Sequence, residues 1–262
     1  MKFNAGTLQD YLVATLENAQ DHAAEPPQLM YLVDQMDRIF QEEIFGREFN
    51  ASPTAGVLVM NSYTMLLSGV RQALSGHVVS TFPITRTALE SACYAFIIAR
   101  DEKKADIWFQ RHASKTAHKD CRDAFTVAKA VKELKAINSG MAEYVQAYYD
   151  ASIDFGAHPN RKSVIDHLKD TGSIGEDLHG FELTGVYGRN SWYVNFALLA
   201  CVEVGQAIAF LTAASTDNHP LIHERVEVFQ AWMDAKNRMA EEINGEPINY
   251  TGPMYSSVLP PA

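Results

Sequence analysis

Between Ile84 and His158 the chain carries no proline, and only Gly140 and Gly156 interrupt it. Proline removes a backbone donor and glycine adds freedom to the unfolded chain. A stretch this long without them, rich in Ala, Lys, Glu, Leu and Tyr, therefore favours helices. The same reading extends outward. Helices are expected at about residues 7–22 and 27–45, the second opened by prolines and closed by Gly46. Ser52-Pro53 joins a cap to a first-turn proline and opens a helix to about residue 74, while Thr81-Phe82-Pro83 opens another to about residue 100. A long helix or helix pair follows over about residues 102–137, then helices over about 140–155, 190–215 and 220–244.

Gly156–Gly188 differs in kind. It holds six of the fifteen glycines, starts with His158-Pro159-Asn160, and has short β-leaning runs at Ser163–Leu168 and Phe181–Tyr187. An ordered excursion with a small hairpin is expected there, and long connections in compact domains are more often functional than decorative. Pro247, Pro253, Pro260 and Pro261 make residues 245–262 an expected extended tail. No internal repeat is visible. The expectation is all-α: one domain over residues 1–244, a single bundle of about eight helices with a glycine-rich insert at 156–188.

Composition narrows the class. With 262 residues, 47% hydrophobic and 21% charged, the chain is neither collagen-like, low-complexity nor wholly disordered. Its net charge is −10, yet Arg100–Lys135 is locally +4 and the rest −14, so that segment is where an anion would be drawn. Three cysteines, Cys93, Cys121 and Cys201, lie inside apolar helical patterns, which predicts buried thiols and a reducing compartment. Asp10 and Glu17 near the N-terminus, without a long apolar run, do not make a signal peptide. Ala51–Val70 has no charge and Asn190–Ala213 only Glu203, but Asn61, Ser62, Ser68, Asn195 and Gln206 mark them as buried core helices rather than spans. A soluble, cytoplasmic protein without a membrane is expected.

Three constellations could carry chemistry. Arg86 and Glu90 share a face of a helix that is apolar all round, and Glu203 sits midway along another. Buried charges are costly unless paired, so Arg86, Glu90 and Glu203, together with Asp154, are expected to share a buried network, either bracing the core or flooring an anion pocket. On the basic segment, Ile107, Arg111, His118, Arg122 and Phe125 form a narrow stripe if the helix is continuous. Arg111 and His118 would then bracket a phosphate, with arginine holding oxygens and histidine moving a proton, unless they are simply a solvated basic face. Finally, an aromatic helix ends at Gly156 and His158 follows in a turn braced by Pro159, where Asp154 could orient the imidazole. The plainer alternative is that His158 and Asn160 cap helix ends.

Metal and cofactor signatures are missing from the sequence. Glu176-Asp177-Leu178-His179 has Glu-x-x-His spacing but no second copy, and His219 and His223 flank Pro220 at a helix start. There is no CxxC, Walker loop, GxGxxG or GxSxG elbow. No cofactor and no metal are expected.

Arg86-x3-Glu90, Trp108-x2-Arg111, Cys121-Arg122-Asp123-Ala124-Phe125 and Ile153-Asp154-Phe155-Gly156-Ala157-His158-Pro159-Asn160 resemble the motifs of a bacterial family of helical proteins without assigned function. The resemblance covers roughly Thr81–Asn160 and implies an intracellular helical fold. Arg111-x6-His118 also resembles the Arg-x4-6-His motif of HEPN-type proteins, many of them metal-independent, dimeric endoribonucleases of toxin–antitoxin and phage-defence systems. That likeness implies Arg111 on the phosphate and His118 in proton transfer during attack by a 2′-hydroxyl, with His158 as a further catalytic candidate. Two readings follow: a non-catalytic module for a small ligand or protein partner, or an HEPN-like ribonuclease whose partner is RNA. A homodimer would cover apolar helices that exceed what a thin bundle can bury.

Overall fold

The computed structural model describes residues 6–48, 50, 52–175, 178–188, 191–216 and 218–245. The extended tail expected over residues 246–262 lies outside them, as do Glu176 and Asp177 of the Glu-x-x-His motif. The described residues form helices α1 (Leu8–Ala24), α2 (Met30–Ile39), α3 (Pro53–Leu74), α4 (Val78–Arg100), α5 (Lys104–Phe109), α6 (Lys115–Ala124), α7 (Val127–Leu134), α8 (Ser139–Ser152), α9 (Arg161–Val164), α10 (Trp192–Ala214) and α11 (Val226–Asn244), with strands β1 (Leu168–Gly175) and β2 (Leu178–Leu183). Among the described residues the fold is all-α apart from that strand pair. Ten of the helices have six or more residues, against the expected eight, because the segment 102–137 is not continuous. Ser114 and Thr126 adopt extended backbone, and their hydroxyls cap α6 and α7 at Ala117 and Lys129, so each restarts the chain in a new direction.

Local chemistry explains most boundaries. Thr7 and Asp10 form a capping box for α1, and Ser52 caps α3 with Pro53 in its first turn. Helix α4 starts earlier than Pro83 suggests: it begins at Val78 and carries Pro83 inside. Two helices end in π-helical turns, Phe40–Phe45 after α2 and Ile153–Ala157 after α8. The run Ser163–Leu168 is not a strand. Asn160 and Ser163 cap each other and draw this stretch into α9 and a 3-10 turn. The hairpin begins at Leu168, and its antiparallel register pairs Leu168 with Leu183 and Ser173 with His179.

The core surrounds α10. Every residue from Ala200 to Ala214 is buried, and α2, α3, α4, α8 and α11 all pack on this helix. It is long and apolar enough to cross a membrane, but 94% of its most apolar window is buried inside the fold. Its role is a central core helix. Helices α3 and α4 fold back on each other through Ser75–His77 and flank it; a Cβ at Gly69 would lie 3.1 Å from Thr85 and 3.5 Å from Cys201, where the three helices meet. All three cysteines are free and buried, and burial pushes the Cys93 and Cys201 thiols well up.

Burial also holds the imidazoles of His77, His167 and His219 below the ordinary value of 6.5. A histidine with a depressed native pKa binds its proton more readily in the unfolded chain. Stability from these groups is therefore complete above pH 6.5 and is lost progressively below it. Each can contribute a slope of at most about 1.4 kcal/mol per pH unit. Urea unfolding at pH 7 and pH 5 tests this. The expected result is a lower midpoint at pH 5, smaller in a His77→Gln variant; equal midpoints would contradict it.

Candidate functional site

Helix α4 carries a polar line along an otherwise apolar helix. Arg86, Glu90 and Tyr94 recur every four residues and share one face over about 12 Å of rise. Arg86 is the hub. Its Nε donates to Glu90 at 3.0 Å, its Nη2 donates to the Tyr149 hydroxyl at 3.0 Å, and its Nη1 lies 3.2 Å from His158 Nε2. A guanidinium can only donate, so His158 Nε2 accepts and the neutral ring carries its proton on Nδ1. Glu90 and the Tyr149 hydroxyl thus share the one guanidinium, whose carbon lies 5.0 Å from the Tyr149 ring centre. Burial works against the Arg86 charge, but Glu90 and Tyr149 outweigh it and raise its pKa above the usual arginine value. Burial, helped by Glu90 and opposed by Arg86, raises that of Tyr149.

Arg86 and Glu90 are not sealed in the core. Their side chains remain 23% and 29% exposed, so the fully buried network expected from the sequence is corrected to a half-buried one with an open edge. Its membership changes too. Glu203 faces α11 and pairs in the core with Lys236, at 3.4 Å. Asp154 is carried to the surface by the π turn and pairs with Lys162 at 3.3 Å, so Arg86 rather than Asp154 orients His158.

His158 is held in place from both sides. Ahead of it, Phe155 packs 5.5 Å from Phe82 and 5.3 Å from Phe196. Gly156 lies against the Val79 carbonyl, so close that a Cβ would overlap that oxygen and sit 3.0 Å from Phe82 Cβ. Pro83 withholds the N–H that this carbonyl would otherwise accept within the helix. After it, Ser163 Oγ donates to the His158 carbonyl at 2.9 Å and Asn160 Nδ2 to the Ile153 carbonyl at 3.1 Å.

The second arginine–histidine pair forms differently from the expected stripe. Arg111 lies in a 3-10 turn and His118 on α6, and they meet across the Ala113–Ser114 corner with Nη2 and Nε2 3.5 Å apart. The five do not share one helix: Ile107 is on α5, Arg111 in the 3-10 turn, His118 and Arg122 on α6, and Phe125 just past its end. Arg122 pairs with Asp123 on the surface, while Phe125 is buried 5.1 Å from Tyr94. Tyr94 joins the two ends: burial raises its hydroxyl pKa, and it feels the charges of both Glu90 and Arg111. One band thus runs along α4 from His158 and Arg86 past Glu90 to Tyr94, and the Arg111–His118 pair lies within electrostatic reach of its Tyr94 end.

Sequence reasoning missed Tyr94 and Tyr149. The signal for Tyr94 was its four-residue step beyond Glu90. Chemically the band and the pair near its end offer two guanidiniums, each beside an imidazole able to donate or move a proton, which is a set suited to oxyanions. Among the described residues no group of three His, Cys, Asp or Glu side chains could hold a metal ion. No family model, curated protein or solved structure matches the chain.

Proposed function

We propose that the chain is a cytoplasmic, ligand-binding helical protein that takes an anionic ligand on the α4 face, with Arg86 as its anchor. One observation carries this reading: the Arg86 guanidinium is fixed by Glu90, Tyr149 and His158 yet keeps 23% of its side chain exposed. A charge already held in one orientation loses little freedom on binding. Arg111 and His118 lie beyond Tyr94, past the roughly 12 Å from Arg86 to Tyr94, so pyrophosphate would sit on Arg86 alone, while a ligand meeting both arginines would carry phosphates set well apart, as in single-stranded RNA. The free, buried thiols support the reducing compartment.

A second reading is favoured by one contact. Arg111 Nη2 and His118 Nε2 lie 3.5 Å apart, close enough to act on one phosphate, which supports an HEPN-like endoribonuclease with RNA as substrate.

A single experiment separates the readings. Thermal unfolding is followed with inorganic phosphate, pyrophosphate or single-stranded RNA, and the RNA is then checked for cleavage. Ligand at a hundred times its dissociation constant stabilises by about 2.7 kcal/mol, a shift of several degrees. The expected result is such a shift with pyrophosphate or RNA in wild type and none in Arg86→Lys, which keeps the charge but loses the planar fork. No shift with any of the three ends the binding reading. Cleavage by wild type but not by His118→Ala moves the assignment to the ribonuclease; RNA left intact by both removes it.

A further inference from the structure

Where α4 and α10 end and α8 and α11 begin, the chain forms a pocket of about 350 Å³, at the lower end of small-molecule sites. Buried Phe210, Ala214 and Phe229 make its floor apolar, and the two phenyl rings lie 5.8 Å apart and tilted by 51°. Its polar groups stand in the open. Arg100, Asn138 and His223 all line the pocket and are all exposed, so a ligand on that floor can reach them.

The charge of this lining runs against that of the chain. The sequence has 32 acidic residues against 22 Lys and Arg, yet among the described residues the lining holds Arg100 and His223 and no Asp or Glu. Helix dipoles do not set the sign here, because two helices end at the pocket and two begin. The side chains do. Asn138 Oδ1 accepts the Met141 N–H to cap α8, so its amide offers a ligand the Nδ2 donor. Arg100 carries five N–H donors, enough to serve a ligand beside a contact within the fold. Donors and a cation over an apolar floor match an apolar body that ends in one carboxylate. The tilted phenyl pair matches an aromatic body, since a third ring can meet either one edge-to-face.

We infer that this pocket binds a small aromatic monocarboxylate, its carboxylate on Arg100 with Asn138 and His223 beside it and its ring over Phe210 and Phe229. Arg100 stands fourteen residues beyond Arg86 on α4, about 21 Å of rise, so the site is separate from the one anchored by Arg86 and does not depend on what binds there.

Titration of the full chain with phenylacetate and with phenylacetamide, followed by NMR, tests the assignment. The acid should bind about tenfold more tightly than the amide, the difference between a charge-assisted and a neutral hydrogen bond. Arg100→Gln should bring the acid down to the level of the amide. A second variant leaves Arg100 in place. Val226 lines the pocket, is 53% exposed and opens α11, where a carboxylate suits the helix start, so Val226→Glu should fold. It should weaken the acid about tenfold through like charge and the amide far less. Pyrophosphate should not displace phenylacetate. Equal affinity for acid and amide, no binding of either, undiminished binding of the acid by either variant, or displacement by pyrophosphate would each overturn the proposal.

Discussion

Replacing Lys236 with methionine should destabilise the protein by about 3–5 kcal/mol, among the largest effects of any single substitution here. Lys236 is completely buried, with its ammonium 3.4 Å from Glu203, whose side chain is only 5% exposed. Burial pushes the lysine pKa down and Glu203 pulls it back. Nearby, the ammonium lies 5.6 Å from the Tyr144 ring centre, and Tyr144 donates to Gln206, which reaches the Trp232 carbonyl. This polar cluster fixes α11 against α10. Lys236→Met takes the ammonium away from the buried Glu203, and Glu203→Leu takes the carboxylate away from the buried Lys236, so both single variants should unfold at much lower denaturant. The double variant Glu203→Leu/Lys236→Met removes both charges at similar volume and should come within about 1 kcal/mol of wild type or exceed it. A double-mutant cycle by chemical denaturation measures this directly. Single costs below about 1 kcal/mol, or a double cost equal to the two singles together, would show that the pair is not the uncompensated hazard its burial implies.

Lys236 also shows what a sequence conceals. Phe229, Trp232, Lys236, Met239 and Ile243 recur at steps of three and four, so the lysine occupies a core position of an amphipathic helix. Read one residue at a time it is an ordinary surface lysine; read in register it is the partner Glu203 requires. The central helices were legible because α3 and α10 hold long uncharged runs, which only a core accommodates. The break in the basic segment was harder to see. Ser114 and Thr126 are ordinary mid-helix residues by composition, and their capping role appears only when the chain must turn to bury Cys121, Phe125 and Leu134.

The candidate site was legible in its members but not in its connections. Arg86 and Glu90 follow from helical spacing, while the approach of Tyr149 and His158 is tertiary and leaves no local trace. Asp154 illustrates the limit. Four residues separate it from His158, a spacing that suggests contact in an α-helix, but the π turn Ile153–Ala157 changes the angular step and sends Asp154 to Lys162. Arg111 and His118 meet for a reason opposite to the expected one. Spacing on a straight helix would leave them about two turns apart, and only the corner at Ala113–Ser114 brings their nitrogens to 3.5 Å.

The π turn is also where a one-carbon change should act most strongly on the site, and Gly156→Ala is expected to uncouple His158 from Arg86. The Val79 carbonyl is backbone and cannot swing aside, and Phe82 Cβ lies 3.0 Å from the new atom, so the turn itself must retreat from α4. Overpacking of this kind costs about 1–3 kcal/mol, with the upper end expected where the obstruction is main chain. Phe155 would lose its seat between Phe82 and Phe196, and the Arg86 Nη1 contact to His158 would open, while Arg86 keeps Glu90 and Tyr149. The α4 face should then bind pyrophosphate several-fold more weakly, with the imidazole resonances of His158 shifted and those of His118 unmoved. Gly185→Ala is the matched control, since a Cβ there meets nothing within 4 Å and should leave stability and binding as they are. If Gly156→Ala unfolds within about 0.5 kcal/mol of wild type and leaves the His158 resonances in place, the close approach of the π turn to α4 does not position the histidine.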